Sequence, residues 1–324
     1  MYIFEKVRKL WNRMDIYIQP KLKWHVKCFV FIDFIISIPL YGLGINDYLQ
    51  YEFYKKRYFD RRDFIVHRKR MKIVKTFNIE KDRELFDNKE KFNEIFSDYL
   101  GRVWLYTKSS DYDTFVNFAK SVGKFIVKPT KGSHGKGIRI VEFDNIQNLE
   151  EMYEELLQED ALLEEFIIQH ENLASFNKTS VNSLRVVTLL CPDGKVRVMT
   201  ANLRMGNGVR YADNFHHNGI ASLLDTDTGV VISTGIDRDF RRYVYHPYSN
   251  KQIVGFQVPF WDKVVDTVTN AAMLMPTVGY IGWDVAIGHD GRIIIIEGNA
   301  AADPDVSQMP DQIGKWPLYK KYIK

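Results

Sequence analysis

Apolar positions along this chain recur either at three- and four-residue intervals or in alternation with polar ones, and the switch between the two periods separates helical from β-rich stretches. Residues 1 to about 85 read as mostly helical, with aromatic and basic residues interleaved. A helix is expected from Asn88 through Phe92, Ile95 and Phe96, with Asp87 or Asn88 as its cap. Short β-rich runs follow at Arg102 to Tyr106 and Phe125 to Lys128, with a helical pattern from Tyr112 to Ala119 between them. A further strand, Ile138 to Phe143, leads into a helix that places Ile146, Leu149, Tyr153 and Leu156 at helical spacing. Beyond it antiparallel hairpins dominate, with turn signals at Pro192-Asp193-Gly194 and from Asp225 to Gly229. Pro259 opens another helix that ends before Pro276. The predicted class is α+β, a small helix-backed sheet ahead of a larger antiparallel one. Three segments are expected: a helical region over 1–85, a first α+β subdomain over 86–160 and a second over 161–324.

The run from Ile281 to Ala300 is the most informative. Two β-rich stretches, 281–287 and 292–296, flank the tight-turn sequence His289-Asp290-Gly291. Alternation then points Glu297 and Asn299 the same way. If Gly288 pairs with Gly291, Asp284 lies opposite Ile295 on that same face, diagonal to Glu297 at roughly 7–8 Å. A cation bridges such a gap, and two carboxylates with one amide suit Mg²⁺ shared with a nucleotide phosphate. The other reading is a hairpin whose polar residues face water. Four consecutive isoleucines before Glu297 argue against it, because a strand buried on both faces leaves its acidic end in need of a partner.

A second constellation is the loop from Lys128 through Gly132, Ser133, His134, Gly135 and Lys136 to Gly137. Its glycines let backbone N–H groups approach phosphate oxygens, and lysines at both ends add positive charge. It is not a Walker A loop, since Gly-Lys-Ser/Thr leading into a helix is missing. Taken alone, it is equally a hairpin turn. In the third, Leu162 to Ile167, an apolar run breaks at Glu164-Glu165 and resumes at Phe166-Ile167. One carboxylate there would accept from an adenine amino group at the rim of an apolar slot, and Glu171 from ribose hydroxyls. A surface pair at a strand end is the plainer alternative.

Charge adds a division. The net +4 combines 17 Lys/Arg against 8 Asp/Glu in residues 1–80, a net +9, with a net −5 in the remainder. So basic and aromatic a surface suits an anionic membrane, a sugar nucleotide or an acidic glycan better than nucleic acid. The apolar run Cys28 to Ile45 bears on the first of these. Its eleven Phe, Ile, Leu and Val residues favour insertion by about 0.3–0.6 kcal/mol each, while Asp33 opposes it by about 2.5–3.5 kcal/mol. A buried helix is the first reading of this run. An interfacial helix flanked by Lys21, Lys23, Lys27 and Lys55 to Arg57 is the second, and a true span the third. Peripheral attachment at the inner face of a membrane, or to an anionic glycan precursor, is expected. The two cysteines, Cys28 and Cys191, are far apart and form no metal-type spacing, and no cleavable secretory signal is apparent, so a cytoplasmic protein is expected.

Taken in order, these pieces resemble the ATP-grasp superfamily over roughly residues 85 to 303. The resemblance implies an α+β ATP-grasp fold, two subdomains gripping ATP, with 86–160 as the lid and the metal site in 161–324. It implies that Lys89 is the early lysine and Lys128 the strand lysine at the adenine and α-phosphate. The loop from Gly132 to Gly137 becomes the phosphate lid, Glu164, Glu165, Phe166 and Ile167 the adenine hinge, and Glu171 the ribose acceptor. Asp284, Glu297 and Asn299 match the family's metal-binding set, with twelve residues between the first two and a Glu-x-Asn ending. The segments Asn182 to Thr188, Ala201 to Arg204, Asp213 to Gly219 and Gly42 to Tyr48 resemble the sugar-transfer-associated group, and the first three are also similar to peptide-type glutamate ligases. Two features depart from the pattern: no Rossmann-like domain precedes the grasp, and Gly282 stands where many ligases carry an arginine. Arg185 or Arg204 is expected to substitute for that arginine, and His216 or His217 to assist in deprotonating an amine. The implied activity uses ATP and Mg²⁺ to join a small-molecule carboxylate and an amine through an acyl phosphate, an amino acid and a sugar derivative in cell-surface polysaccharide synthesis. A kinase acting on a hydroxyl and a non-catalytic nucleotide-binding scaffold are the rivals.

Overall fold

The computed structural model describes residues 2–18, 20–130, 137–208 and 219–323. Helices α1 (Tyr2–Tyr17), α2 (Trp24–Tyr41), α3 (Ile45–Gln50), α4 (Tyr58–Arg61), α5 (His67–Phe77), α6 (Glu80–Asp87) and α7 (Lys89–Ile95) come first. The smaller sheet follows, built from β1 (Trp104–Tyr106), β2 (Lys124–Pro129), β3 (Arg139–Glu142) and β4 (Ala161–Glu165), with α8 (Tyr112–Val122) and α9 (Leu149–Glu159) behind it. Its order is β1-β4-β2-β3, antiparallel throughout. Strand β4, which follows the boundary expected at 160, is a member of this sheet.

After α10 (Glu171–Ala174) come β5 (Ser183–Leu190), β6 (Val196–Met205), β7 (Ile220–Leu224), β8 (Gly235–Ile236) and β9 (Arg242–Tyr243). Helix α11 (Trp261–Ala272), the hairpin β10 (Tyr280–Ile287) and β11 (Ile293–Asn299), and the short α12 (Asp305–Gln308) and α13 (Trp316–Lys320) complete the chain. The larger sheet runs β11-β10-β5-β6-β7-β8-β9.

Alternation along the strands decides which face does what. In the smaller sheet Phe125, Val127 and Leu163 pack on Phe115, Phe118 and Leu156 of the two helices, so Lys128 and Glu164 project from the opposite face. In the larger sheet Leu184, Val186, Leu203, Trp283 and Val285 share a core with Val264 and Val268 of α11. Arg185, Asn202, Arg204 and Asp284 therefore lie on the other face. Helix α12 is tied over that face by Thr200 Oγ1 to Ser307 Oγ at 2.9 Å and by Asn202 Nδ2, which donates to the Val306 carbonyl at 2.6 Å.

The apolar run read first as a buried helix forms α2, and that reading fails. Only 28% of the helix is buried, and Phe34, Ser37 and Tyr41 supply its inward contacts. Lys27 is no flanking surface cation either: it is buried and ion-paired to Asp15 at 2.6 Å.

Candidate active site

Strand β10 carries Asp284 at its middle, with Arg185 of β5 opposite on one side and Glu297 of β11 opposite on the other. The expected pairing of Asp284 with Ile295 is corrected by two local features. Gly288 N donates to the Arg292 carbonyl, so the turn spans three residues, and Ile287 pairs with Ile293. A bulge between Asp284 and Val285 then places Ile295 against Val285 and brings Glu297 directly opposite Asp284. The carboxylates are close cross-strand neighbours and not a diagonal pair.

Both arginines bond Asp284. Arg185 Nε donates to Oδ1 at 2.5 Å and Arg185 Nη2 to Oδ2 at 3.0 Å, while Arg204 Nη1 donates to Oδ1 at 2.8 Å. Burial alone pushes the Asp284 carboxyl up, but Arg185 and then Arg204 outweigh it and hold the group well below the usual carboxylate range. A side chain built at Gly282 would meet Ala302 Cβ at 2.6 Å and Arg185 at 3.4 Å. The Arg185 side chain thus occupies space beside the position where the expected arginine is missing.

Glu297 reaches solvent through the open side of the site. The protein packed around it, and next the Asp284 charge, raise its carboxyl above the ordinary range, against the pull of Arg185 and Lys128. Asn299 is exposed at the end of β11, and its Oδ1 accepts from Ala301 N at 2.8 Å. Between them, Gly298 admits α6 and α7 closely: a Cβ there would lie 2.7 Å from Phe92 and 2.9 Å from Phe86. That approach brings α7, capped by Asn88 Oδ1 accepting from Lys91 N at 3.1 Å, against the hairpin, with Lys89 in its first turn.

The smaller sheet adds the remaining charges. Lys128 Nζ is ion-paired to Glu164 Oε2, and Arg102 Nη2 to Glu164 Oε1 at 2.7 Å. Asn93 Nδ2 donates to the same Oε1 at 3.3 Å. Burial pushes the Glu164 carboxyl up, yet Arg102 and Lys128 outweigh it and hold it well below the usual range. Here the expectation of a Glu164 side chain reading adenine is corrected, because the carboxylate is buried and already engaged by two cations. No local sequence pattern marks Arg102 as a site residue. Arg102 also donates to the Ile295 carbonyl at 2.5 Å and the Ile296 carbonyl at 3.1 Å, bonding the edge of β11 beside the bulge and fastening the two sheets together. Lys89 Nζ donates to the Pro129 carbonyl at 2.7 Å, and burial, then Lys128, lower its pKa.

Glu165 accepts from Val103 N at 3.1 Å and Arg292 Nη2 at 3.2 Å, next to half-buried Phe166 and Ile167. The chain then joins the hairpin, since His289 N donates to the Ile168 carbonyl and His170 N to that of Ile287, each at 2.8 Å. Glu171 is exposed in the first turn of α10, beside that junction. Gly132, Ser133, His134, Gly135 and Lys136 lie outside the described residues, as do His216 and His217; Gly137 is described, with φ +80°.

Five cations (Lys89, Arg102, Lys128, Arg185 and Arg204) thus stand among three carboxylates, Glu164, Asp284 and Glu297. That surplus of positive charge suits a polyphosphate. Residues 68–322 match the sequence pattern of the sugar-transfer associated ATP-grasp group. The chain belongs to that family. Its fold is the α+β ATP-grasp fold, and ATP-binding ligases are the family's wider company.

Among solved structures, the ATP-grasp chain is similar to the ligase PsnB complexed with a minimal precursor, at 17% identity and a TM-score of 0.48, over 76% of this chain and 64% of that one. It is also similar to N5-carboxyaminoimidazole synthetase from Staphylococcus aureus complexed with ADP, at 11% identity and a TM-score of 0.43, over 68% and 46% of the two chains. A third is the biotin carboxylase domain of Hydrogenobacter thermophilus 2-oxoglutarate carboxylase with MgADP, at 17% identity and a TM-score of 0.41, over 73% and 45%. The chain therefore spans less than two thirds of the length of each of these structures. No curated protein matches it.

The acceptor oxygens fit Mg²⁺. Among the described residues no three His, Cys, Asp or Glu side chains converge, so the candidate donors are two carboxylates and an amide. Arg185 and Arg204 already bond Asp284, so the fit rests on the oxygens that Glu297 and Asn299 present beside it at the exposed end of β11; Mg²⁺ takes one or two carboxylates together with water and phosphate oxygens.

Proposed function

We propose that this chain is an ATP-dependent carboxylate–amine ligase. The observation that carries the reading is the Asp284–Glu297 pair set between the two arginines and the Lys128 cluster, a site with cations on both sides of its acceptor oxygens. Glu297, Asn299 and Asp284 would hold Mg²⁺, which when bound neutralises β- and γ-phosphate charge. Lys128 and Lys89 neutralise the remaining phosphate oxygens from the lid side. Arg185 and Arg204 orient the substrate carboxylate as it attacks the γ-phosphorus, giving an acyl phosphate and ADP. An amine then attacks the acyl carbon and expels phosphate, forming an amide. Positioning and electrostatics account for the catalysis, and no covalent enzyme nucleophile is required.

A cavity of about 450 Å³ begins four residues beyond Asn299 and supports the amine side of this reading. Asp303 and Asp305 line it from the chain that leaves β11, Arg70 from α5, and Gly42 to Asp47 from the α2–α3 connection and the first turn of α3. Asp303 and Arg70 stand 3.5 Å apart in this concave site, a carboxylate and a guanidinium that suit the amine and the carboxylate of one ligand, such as an amino acid. The partner substrate in this reading is a sugar derivative used in cell-surface polysaccharide synthesis.

Asp303→Asn is expected to raise the KM for the amine about tenfold or more, since one charge-assisted hydrogen bond contributes about 1.5–3 kcal/mol. ATP affinity should be unchanged, and steady-state kinetics beside calorimetric ATP titration separate the two. Hydroxylamine with pooled amino acids and uronic acids tests the reaction class. A hydroxamate supports a ligase, a phosphorylated hydroxyl product shows a kinase, and ATP binding with neither product shows a scaffold.

A further inference from the structure

Helix α2 has its polarity inverted relative to a water-facing helix. Its lysine and aspartate are paired to neighbouring elements: buried Lys27 to Asp15 at 2.6 Å, and partly exposed Asp33 to Arg61 at 2.8 Å and to the Tyr48 hydroxyl at 2.5 Å. Its outward side is apolar. Phe29 (71% exposed), Ile32 (53%), Ile36 (53%) and Leu40 (49%) follow one another at three- and four-residue steps, which places them along one side of the helix, and Trp24 (75%) stands exposed in its first turn. Phe59 of α4 is a further exposed apolar side chain (73%) near the C-terminal end of α2, where the neighbouring Tyr58 packs on Tyr41 with ring centroids 5.7 Å apart. A row of large apolar side chains this long on a soluble protein marks a contact surface.

Positive charge sits at both ends of the row. Exposed Lys21 and Lys23 precede α2, and exposed Arg57 and Arg62 bracket α4. Exposed Arg68 donates to the Leu40 carbonyl at 2.8 Å. Residues 1–80 carry a net +9.

We infer that this face rests on an anionic lipid bilayer, with α2 lying in the plane of the headgroups. The apolar stripe enters the acyl boundary, Trp24 takes the interfacial level that suits indole, and the lysines and arginines meet lipid phosphates. A span is excluded by the inner face. Phe34 packs edge-on against Tyr48 at 5.2 Å, in a core shared with Met14, Ile18 and Phe53, so crossing the bilayer would strip the helix from that core and carry Lys27 and Asp33 into hydrocarbon.

The test is co-sedimentation of the full chain with phosphatidylcholine vesicles, with and without about one third phosphatidylglycerol. The expected result is binding at least about tenfold stronger to the anionic vesicles, weakened by high salt. Ile32→Glu combined with Ile36→Glu, two exposed positions, should weaken that binding at least about tenfold with an unchanged melting temperature. Failure of the native chain to bind anionic vesicles overturns the inference, and so does equal binding by the double variant. Resistance to an alkaline wash overturns the in-plane placement. A native dimer that the double variant converts to a monomer, with no vesicle binding by either, assigns the face to a second copy of the chain instead.

Discussion

Glu297→Gln is expected to keep the fold and to lose nearly all ATP turnover, by about a thousandfold or more. The change preserves the side-chain volume at a solvent-accessible position on β11, so the hairpin has no steric reason to shift. It removes the negative charge that faces Asp284 directly across the strand pair. Asp284 alone holds the metal less well, because it shares its oxygens with two arginines. Stabilisation of developing phosphate charge by a metal is worth several kcal/mol, and each 1.36 kcal/mol is about a tenfold change in rate, which sets the size of the effect. Single-turnover ATP hydrolysis, run beside a melting curve, separates lost chemistry from lost structure. Turnover within tenfold of the native chain, at an unchanged melting temperature, would remove Glu297 from the metal site.

The hairpin that carries this residue was legible because its signals are local. A tight-turn tripeptide between β-branched runs and a Glu-x-Asn ending read directly as two strands with acceptors at one end. The register was not legible, because a bulge breaks the strict period of two on which counting along a strand depends. What holds the edge of β11 at the bulge also comes from far away. Arg102 bonds the Ile295 and Ile296 carbonyls across 193 and 194 positions and Glu164 across 62, so in the sequence it is only the first residue of a β-rich run. Helix α2 shows a related limit. A segment apolar on nearly every side has no preferred face in the sequence, and the inward face becomes visible only once Asp15, Tyr48 and Arg61 are folded against it. The separation into a small and a large antiparallel sheet was readable because each strand lies near its turn signals, whereas the placement of β4 beside β1 and β2 depends on pairings about thirty to sixty residues apart.

Glu164→Gln is expected to be the most destabilising of these substitutions, by about 3–5 kcal/mol. The native carboxylate is buried and bonds Lys128 and Arg102 at once, and the amide would leave two cations enclosed without their counter-charge. The melting temperature should fall by about 4–7 °C, since 1 kcal/mol corresponds to about 1.5 °C in a chain of 324 residues. Glu165→Gln, one residue along and on the opposite face, provides the contrast. Its partner Arg292 is 42% exposed, so a loss of less than about 1 kcal/mol is expected. Acid sensitivity gives an independent readout. The folded Glu164 carboxyl is held below its ordinary range, so its stabilising contribution is fully present above the unfolded value of about 4.3 and is lost as the pH falls toward the depressed folded value. Melting temperatures of the native chain should therefore decline below about pH 4.3 more steeply than those of Glu164→Gln, which has no proton to take up at that position. Parallel curves for the two proteins would show that Glu164 does not carry the charge linking Arg102, Lys128 and the edge of β11.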